Sequence, residues 1–66
     1  MSPRALGSTI KRLRKRQDLE QQELAAKAGV SQPYLSKLEA GRMKNPTLDV
    51  LRKLAKALGV TLEELT

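Results

Sequence analysis

A short stretch in the middle of the chain carries side chains suited to recognising the edges of nucleic-acid bases. At helical spacing, its outward positions hold amide, amine, hydroxyl and small side chains and no acid: Ser31, Gln32, Pro33, Ser36, Lys37 and Ala40. A carboxamide such as that of Gln32 can pair with adenine, and an amine such as that of Lys37 can donate to guanine in the major groove. Surface helices usually mix acids and bases, so this face favours DNA contact over its alternative, an ordinary solvated helical hairpin.

The sequence offers little for catalysis or for metal binding. It contains no cysteine and no histidine, so disulfides and the usual zinc ligands are excluded and the fold must be held by packing. Its seven acids are scattered over positions typical of helix caps and solvent, with no nucleophile, base and orienting group together. We therefore expect no enzyme activity, no metal and no cofactor, and a reducing cytoplasm as the compartment.

The charge balance points to a polyanionic partner. Thirteen Lys and Arg against seven Asp and Glu give a net charge of +6 and a pI near 10.2, which suits nucleic acid or an anionic membrane surface. No apolar run is long enough for a signal peptide or a membrane span. Several apolar helix stripes require one another for burial, which argues against a membrane-surface peptide. We expect one domain over residues 1–66 and no membrane association.

Apolar spacing and capping signals predict an all-α chain of five helices. The predicted helices span about residues 3–17, 21–28, 32–40, 48–58 and 62–65. Their predicted N-caps are serine or threonine residues: Ser2, Ser31, Thr47 and Thr61. The fourth helix is the most strongly patterned, with apolar residues at three- and four-residue steps expected in the core: Leu48, Leu51, Leu54, Ala55 and Leu58.

The first predicted helix has a basic side in addition to its apolar stripe. Four basic residues lie largely away from the stripe: Lys11, Arg12, Lys15 and Arg16. We expect them to form a solvated basic face rather than to make specific contacts.

The second and third predicted helices are joined by a short turn. Gly29 can adopt the left-handed conformation that such a turn needs, and Val30 fills the corner. Ala25 is expected where the two helices cross most closely, where a larger side chain would strain the packing. The remaining inward positions are apolar: Leu24, Ala28, Leu35 and Leu38.

This segment, QQELAAKAGVSQPYLSKLEAG, resembles the helix-turn-helix of the lambda-repressor-like family of bacterial regulators, the Cro and xenobiotic-response-element type. The flanking segments IKRLRKRQDL and NPTLDVLRKLAKALGVTLEEL are similar to the first helix and the last two helices of that family. The resemblance implies a compact five-helix bundle, a homodimer, and repression or activation of transcription on a near-palindromic double-stranded DNA operator, and of the two we expect repression. No small-molecule ligand is evident from the sequence.

The resemblance also implies roles for individual residues. Base-reading positions fall on Gln32, Pro33 and Lys37, with Ser31 and Ser36 close to the DNA. The remaining implied contacts to the DNA backbone are Gln21, which would also brace the first reader, and a second clamp formed by Arg42, Lys44, Asn45 and Thr47. Pro33 departs from the family because it can offer a base only apolar contact. Tyr34 could reach a phosphate or cover the edge of the core.

Two further expectations concern stability and assembly. Arg14 and Glu39 lie at the edges of apolar stripes and match an Arg and a Glu of the family, so we expect them to form a buried ion pair. Val60, Leu62 and Leu65 are too many apolar side chains for a short terminal helix. The resemblance points to the same surface, which we expect to form the dimer interface, although some of these side chains would serve the monomer core.

Two other functions stay open on the sequence. An antitoxin or a restriction-modification controller would use the same DNA face with a protein partner or tuned autoregulation. A protein-interaction module would use the basic surface to meet an acidic protein. Tight, sequence-dependent DNA binding would argue against the second alternative.

Overall fold

The computed structural model describes residues 2–65, and the ends of the predicted domain, Met1 and Thr66, lie outside the described residues. The described chain forms five α-helices and no strand, which confirms the all-α prediction. The helices are α1 (Pro3–Arg16), α2 (Gln21–Ala28), α3 (Gln32–Glu39), α4 (Leu48–Leu58) and α5 (Leu62–Leu65). None of them is long and apolar enough to span a bilayer.

The helices begin where their capping side chains predict. Ser31 Oγ accepts the backbone N–H of Tyr34 at 3.2 Å, and Thr47 Oγ1 accepts that of Val50 at 3.1 Å. The hydroxyls of Ser2 and Thr61 make the equivalent bonds at the starts of α1 and α5. Each bond satisfies a backbone donor that has no acceptor within its own helix, so these boundaries are set locally.

One core joins all five helices. α1 packs on α3 and α5, α2 packs on α3 and α4, and α4 packs on α5. The buried side chains are aliphatic: Leu6, Ile10, Leu13, Leu24, Ala25, Ala28, Leu35, Leu38, Leu51, Leu54, Ala55, Ala57, Leu58 and Leu65. Because this set contains no large aromatic side chain, the helices approach closely, and the inner side of α3 packs against α1 and α2.

Two of the predicted apolar assignments are wrong. Leu48 was expected in the core, but half of its surface is exposed (51%). It is the first residue of α4 and precedes the part of the helix that packs on α2 and α5. Leu65 was expected at a dimer surface, but it is 1% exposed and belongs to the core of the monomer. Its burial explains how the short helix α5 is held against α1 and α4.

Gly7 is a constraint that apolar spacing does not reveal. It is buried where α1 crosses the end of α3, and a Cβ atom there would overlap the backbone carbonyl oxygen of Leu38 and lie 2.8 Å from that of Glu39. Backbone atoms cannot move aside as a flexible side chain can. The absence of a side chain at Gly7 therefore fixes how closely α3 sits on α1.

Gly7→Ala should destabilise the domain even though alanine is the better helix former. Alanine gains about 1 kcal/mol in helix propensity, but overpacking costs about 1–3 kcal/mol, and here the clash is with backbone. We expect a net loss, which lowers the melting temperature by about 4–8 °C per kcal/mol in a domain of this size. Thermal unfolding followed by circular dichroism measures it. Ser8→Ala is the control, since Ser8 is exposed on the same helix; equal behaviour of the two variants would contradict the close contact.

Candidate nucleic-acid interface

The turn between α2 and α3 fixes the angle at which the two helices meet. Gly29 adopts the left-handed conformation (φ 72°), and the N–H of Val30 donates to the carbonyl of Ala25 at 2.9 Å. Val30 is half-buried against the core, and Ala25 is 3% exposed. The predicted corner is therefore formed, and it sets the position of α3 beside α2.

The outward face of α3 comprises the six residues that helical spacing places outward: Ser31, Gln32, Pro33, Ser36, Lys37 and Ala40. All six are exposed, whereas Leu35, Leu38 and Glu39 on the other side are buried. This face carries one cation and no acid. Tyr34 lies between the two sides, half-buried against the core, so its ring covers the edge of the core.

A buried ion pair connects α3 to α1, as predicted. Arg14 Nε donates to Glu39 Oε2 at 2.7 Å, and a second guanidinium nitrogen donates to Oε1 at 2.9 Å. The side chains are 9% and 4% exposed. This two-bonded geometry fixes distance and orientation together, because the planar guanidinium matches the carboxylate.

The same ion pair also makes hydrogen bonds at the start of α2. The third nitrogen of the Arg14 guanidinium donates to the carbonyl of Leu19 at 2.8 Å, just before α2. Gln21, the first residue of α2, donates from Nε2 to Glu39 Oε1 at 3.2 Å. The hydrogen bond with Glu39 raises the pKa of Arg14. The resemblance implied that Gln21 braces Gln32, but the partner that the structure gives its side chain is Glu39.

The loop from α3 to α4 presents its basic and polar side chains to solvent. Arg42, Lys44, Asn45 and Thr47, the predicted second clamp, are all exposed. Met43 is half-buried and packs against the core between two of them. Sequence reasoning missed this anchor, although an apolar residue alternating with basic ones in a short loop was the available signal.

A shallow groove of about 300 Å³ lies between α1 and α3. Lys11 and Lys15 line it from α1, Ser36 and Ala40 line it from the outward face of α3, and the group around Arg14, Gln21 and Glu39 completes it. The sequence predicted that the basic residues of α1 form a solvated face rather than make specific contacts. The structure divides that face, because Arg12 and Arg16 are exposed but do not line the groove.

The candidate dimer surface is smaller than predicted. Val60 and Leu62 are half-buried and pack against the core from the end of α4 to α5, while Leu65 lies beneath them in the core. Among residues 2–65, no three acidic side chains gather where a metal ion could be held.

Glu39→Gln should lower the free energy of unfolding by about 3–5 kcal/mol, because it leaves the buried Arg14 guanidinium without its counter-charge. Chemical denaturation measures the change. Lys53→Gln is the matched control: it removes one member of the exposed Lys53–Asp49 pair, 3.2 Å apart, which should be worth less than about 1 kcal/mol. Similar losses in the two variants would show that burial of the Arg14–Glu39 pair has no special weight.

Comparison with known proteins gives consistent matches. A family model described as helix-turn-helix (HTH_3) matches residues 10–65. The HTH-type transcriptional regulator y4dJ of Sinorhizobium fredii, itself uncharacterised, is 52% identical over 60 residues, covering 91% of this chain and 77% of that protein. SinR, an HTH-type transcriptional regulator of Bacillus subtilis, is 38% identical over 60 residues, covering 91% of this chain and 54% of SinR.

Solved structures give the same result for the fold. The crystal structure of SinR, the master regulator for biofilm formation, in complex with DNA has a TM-score of 0.87 at 38% identity, over 91% of this chain and 95% of that chain. The restriction-modification controller protein C.AhdI of Aeromonas hydrophila has a TM-score of 0.93 at 31% identity, over 97% of this chain and 96% of that chain. The resemblance drawn from the sequence is confirmed, and the chain belongs to the helix-turn-helix family of DNA-binding transcriptional regulators.

Proposed function

We propose that this chain regulates transcription by inserting α3 into the major groove of an operator and reading base edges with the outward face of that helix. The observation that carries the proposal is the acid-free outward face of α3, held on a buried ion pair and exposed along its whole length. A solvated helix face would be expected to mix acids with bases.

The dimensions of α3 suit this role. Its eight residues extend about 12 Å at a rise of 1.5 Å per residue, and its diameter with side chains is about 10–12 Å. The major groove of B-DNA is about 12 Å wide and admits one helix. At about 3.4 Å per base pair, such a helix can face three or four base pairs.

Three residues of the outward face would specify the sequence. Gln32 can present its amide to N6 and N7 of adenine, and Lys37, just over one turn later, can reach O6 or N7 of guanine. Pro33 lies beside Gln32 and can offer apolar contact to a thymine methyl group. Short side chains at Ser36 and Ala40 allow the backbone of the helix to come close to the DNA.

Contacts to phosphate would place α3 in register. The start of α2 at Gln21 has backbone N–H groups without intrahelical acceptors, which suit an anion. On the other side of α3, the exposed loop residues Arg42, Lys44, Asn45 and Thr47 form the second clamp. The hydroxyl groups of Ser31, Ser36 and Tyr34 complete this set of phosphate contacts. Such contacts position the domain without reading the sequence.

We propose further that two copies bind together. A single domain facing a few base pairs has too little specificity for a genome, and two half-sites about one helical turn apart supply it. Val60 and Leu62, half-buried between α4 and α5, are the apolar residues proposed for the interface. The operator would then be nearly palindromic.

Binding alone is sufficient for repression, since a bound dimer that overlaps a promoter blocks access to it, whereas activation needs a further contact. We therefore favour repression, in the bacterial cytoplasm, and binding rather than catalysis, since the family is one of regulators. A second candidate is control of restriction-modification genes, because the match to C.AhdI covers 96% of that chain. The genes beside the operator would separate the two.

Alanine variants should separate residues that read bases from residues that hold the backbone. Gln32→Ala and Lys37→Ala should each cost about 1–3 kcal/mol on the preferred site and relax discrimination at one or two base pairs. Lys44→Ala should weaken all sequences alike and lower the salt slope by about one unit. Binding to the preferred site and to each single-base variant, at several salt concentrations, measures both effects.

The matched control is Lys27→Ala, which removes an exposed charge from the last turn of α2 and should leave base preference intact. If Gln32→Ala kept the full base preference of the parent, α3 would not be the reader. If Lys37→Ala behaved like Lys44→Ala, its amine would bind a phosphate rather than a base.

A further inference from the structure

We propose that Lys11 and Lys15 form a third phosphate-binding site, in which the groove between α1 and α3 holds the DNA backbone along the Ser36–Ala40 edge of the outward face of α3. The proposal rests on the proposed function, because the phosphate belongs to the same duplex that α3 reads. It assigns a specific role to residues that the sequence indicated only as solvated charge.

The groove shares a wall with the outward face of α3. Ser36 and Ala40 line both, whereas Pro33 and Lys37, which belong to the same outward face, do not line the groove. A backbone strand that borders the major groove on this side would therefore lie against Lys11 and Lys15. The opposite strand would meet the loop that contains Lys44.

The two lysines are the uncompensated charges of this groove. Glu39 is the one acid that lines it, and both of its oxygens are already bonded to Arg14. Neither the Lys11 nor the Lys15 side chain has an ion-pair or hydrogen-bond partner among the residues that the structure describes. The cationic rim is thus free to bind an anion.

The rest of α1 supplies no counter-charge either. The helix contains six basic residues and no acid, and Lys11 and Lys15 are four residues apart, on the same side. Like charges at this spacing destabilise a helix. A bound phosphate would remove that repulsion, so the arrangement is more favourable with DNA than without it.

The remaining lining groups suit a phosphate. The Ser36 hydroxyl can donate to a phosphate oxygen, and the amide of Gln21 lies at the start of α2, whose unpaired backbone N–H groups favour an anion. Hydroxyls, amides and ammonium groups are the donors that proteins commonly use for the DNA backbone. The groove thereby connects the proposed lysine site with the phosphate contact proposed at Gln21, and together they would form one continuous row of donors to the DNA backbone.

A charge-matched pair of double variants tests the proposal. Lys11→Gln with Lys15→Gln removes two charges from the groove, and Arg12→Gln with Arg16→Gln removes two charges from the same helix outside it. We expect the lysine variant to make the negative slope of log K against log salt less steep by about 1.8 and to weaken binding about 30-fold at 0.15 M salt. The loss should be equal on the preferred site and on its single-base variants. The arginine variant should show a small fraction of these effects.

Lys11→Arg with Lys15→Arg keeps the charges and should restore the slope, and melting temperatures of all variants establish that each is folded. Equal slopes for the lysine and arginine variants would overturn the proposal and leave only an effect of net charge. Failure of the parent chain to prefer any DNA sequence would overturn the proposed function and this site with it. A parent that binds specifically, with lysine and arginine variants alike, would overturn this site alone.

Discussion

The ion pair between Arg14 and Glu39 is the interaction on which the geometry of the interface depends. It joins α1 to the end of α3, and through the carbonyl of Leu19 and the amide of Gln21 it also fixes the start of α2. Apolar packing is tolerant of small shifts, whereas a two-bonded guanidinium–carboxylate contact is directional. In a 66-residue chain with no cysteine, this pair and the close approach at Gly7 supply the precision that positions α3.

Helical periodicity divides α3 between stability and recognition. Leu35, Leu38 and Glu39 face inward and hold the helix, while the outward side chains, apart from the Ser31 hydroxyl that caps α3, have no hydrogen bond or ion pair to the described residues. Charge is divided in a similar way: the carboxylate of Glu39 is paired internally with Arg14, and exposed lysines and arginines around it are the groups proposed to bind phosphate. The proposed base readers Gln32 and Lys37 are not among the residues that stabilise the fold, so variants at these positions can change binding without changing stability.

Much of this could be predicted from the sequence because it is local. Capping hydroxyls, Gly29 and the apolar steps predict the helices to within about one residue, and the helix period predicts the outward face of α3. What could not be predicted depends on how helices sit on one another. Leu48 was expected in the core and is exposed, whereas Leu65 was expected at the surface and is buried. Gly7 lies against the backbone of α3, and the groove beside Lys11 forms only where α1 and α3 pack together. The bond from Gln17 Nε2 to the carbonyl of Leu58, 2.7 Å long, joins parts of the chain 41 residues apart.

The central claim is that a symmetric pair of α3 helices reads a defined DNA sequence. Selection of the DNA duplexes that the unmodified chain binds, from a pool of random sequences, tests this most directly. We expect enrichment of a near-palindrome with two half-sites about one helical turn apart, each containing a few strongly preferred base pairs. Recovery of duplexes with no shared sequence after repeated rounds, at a salt concentration that suppresses nonspecific binding, would contradict it.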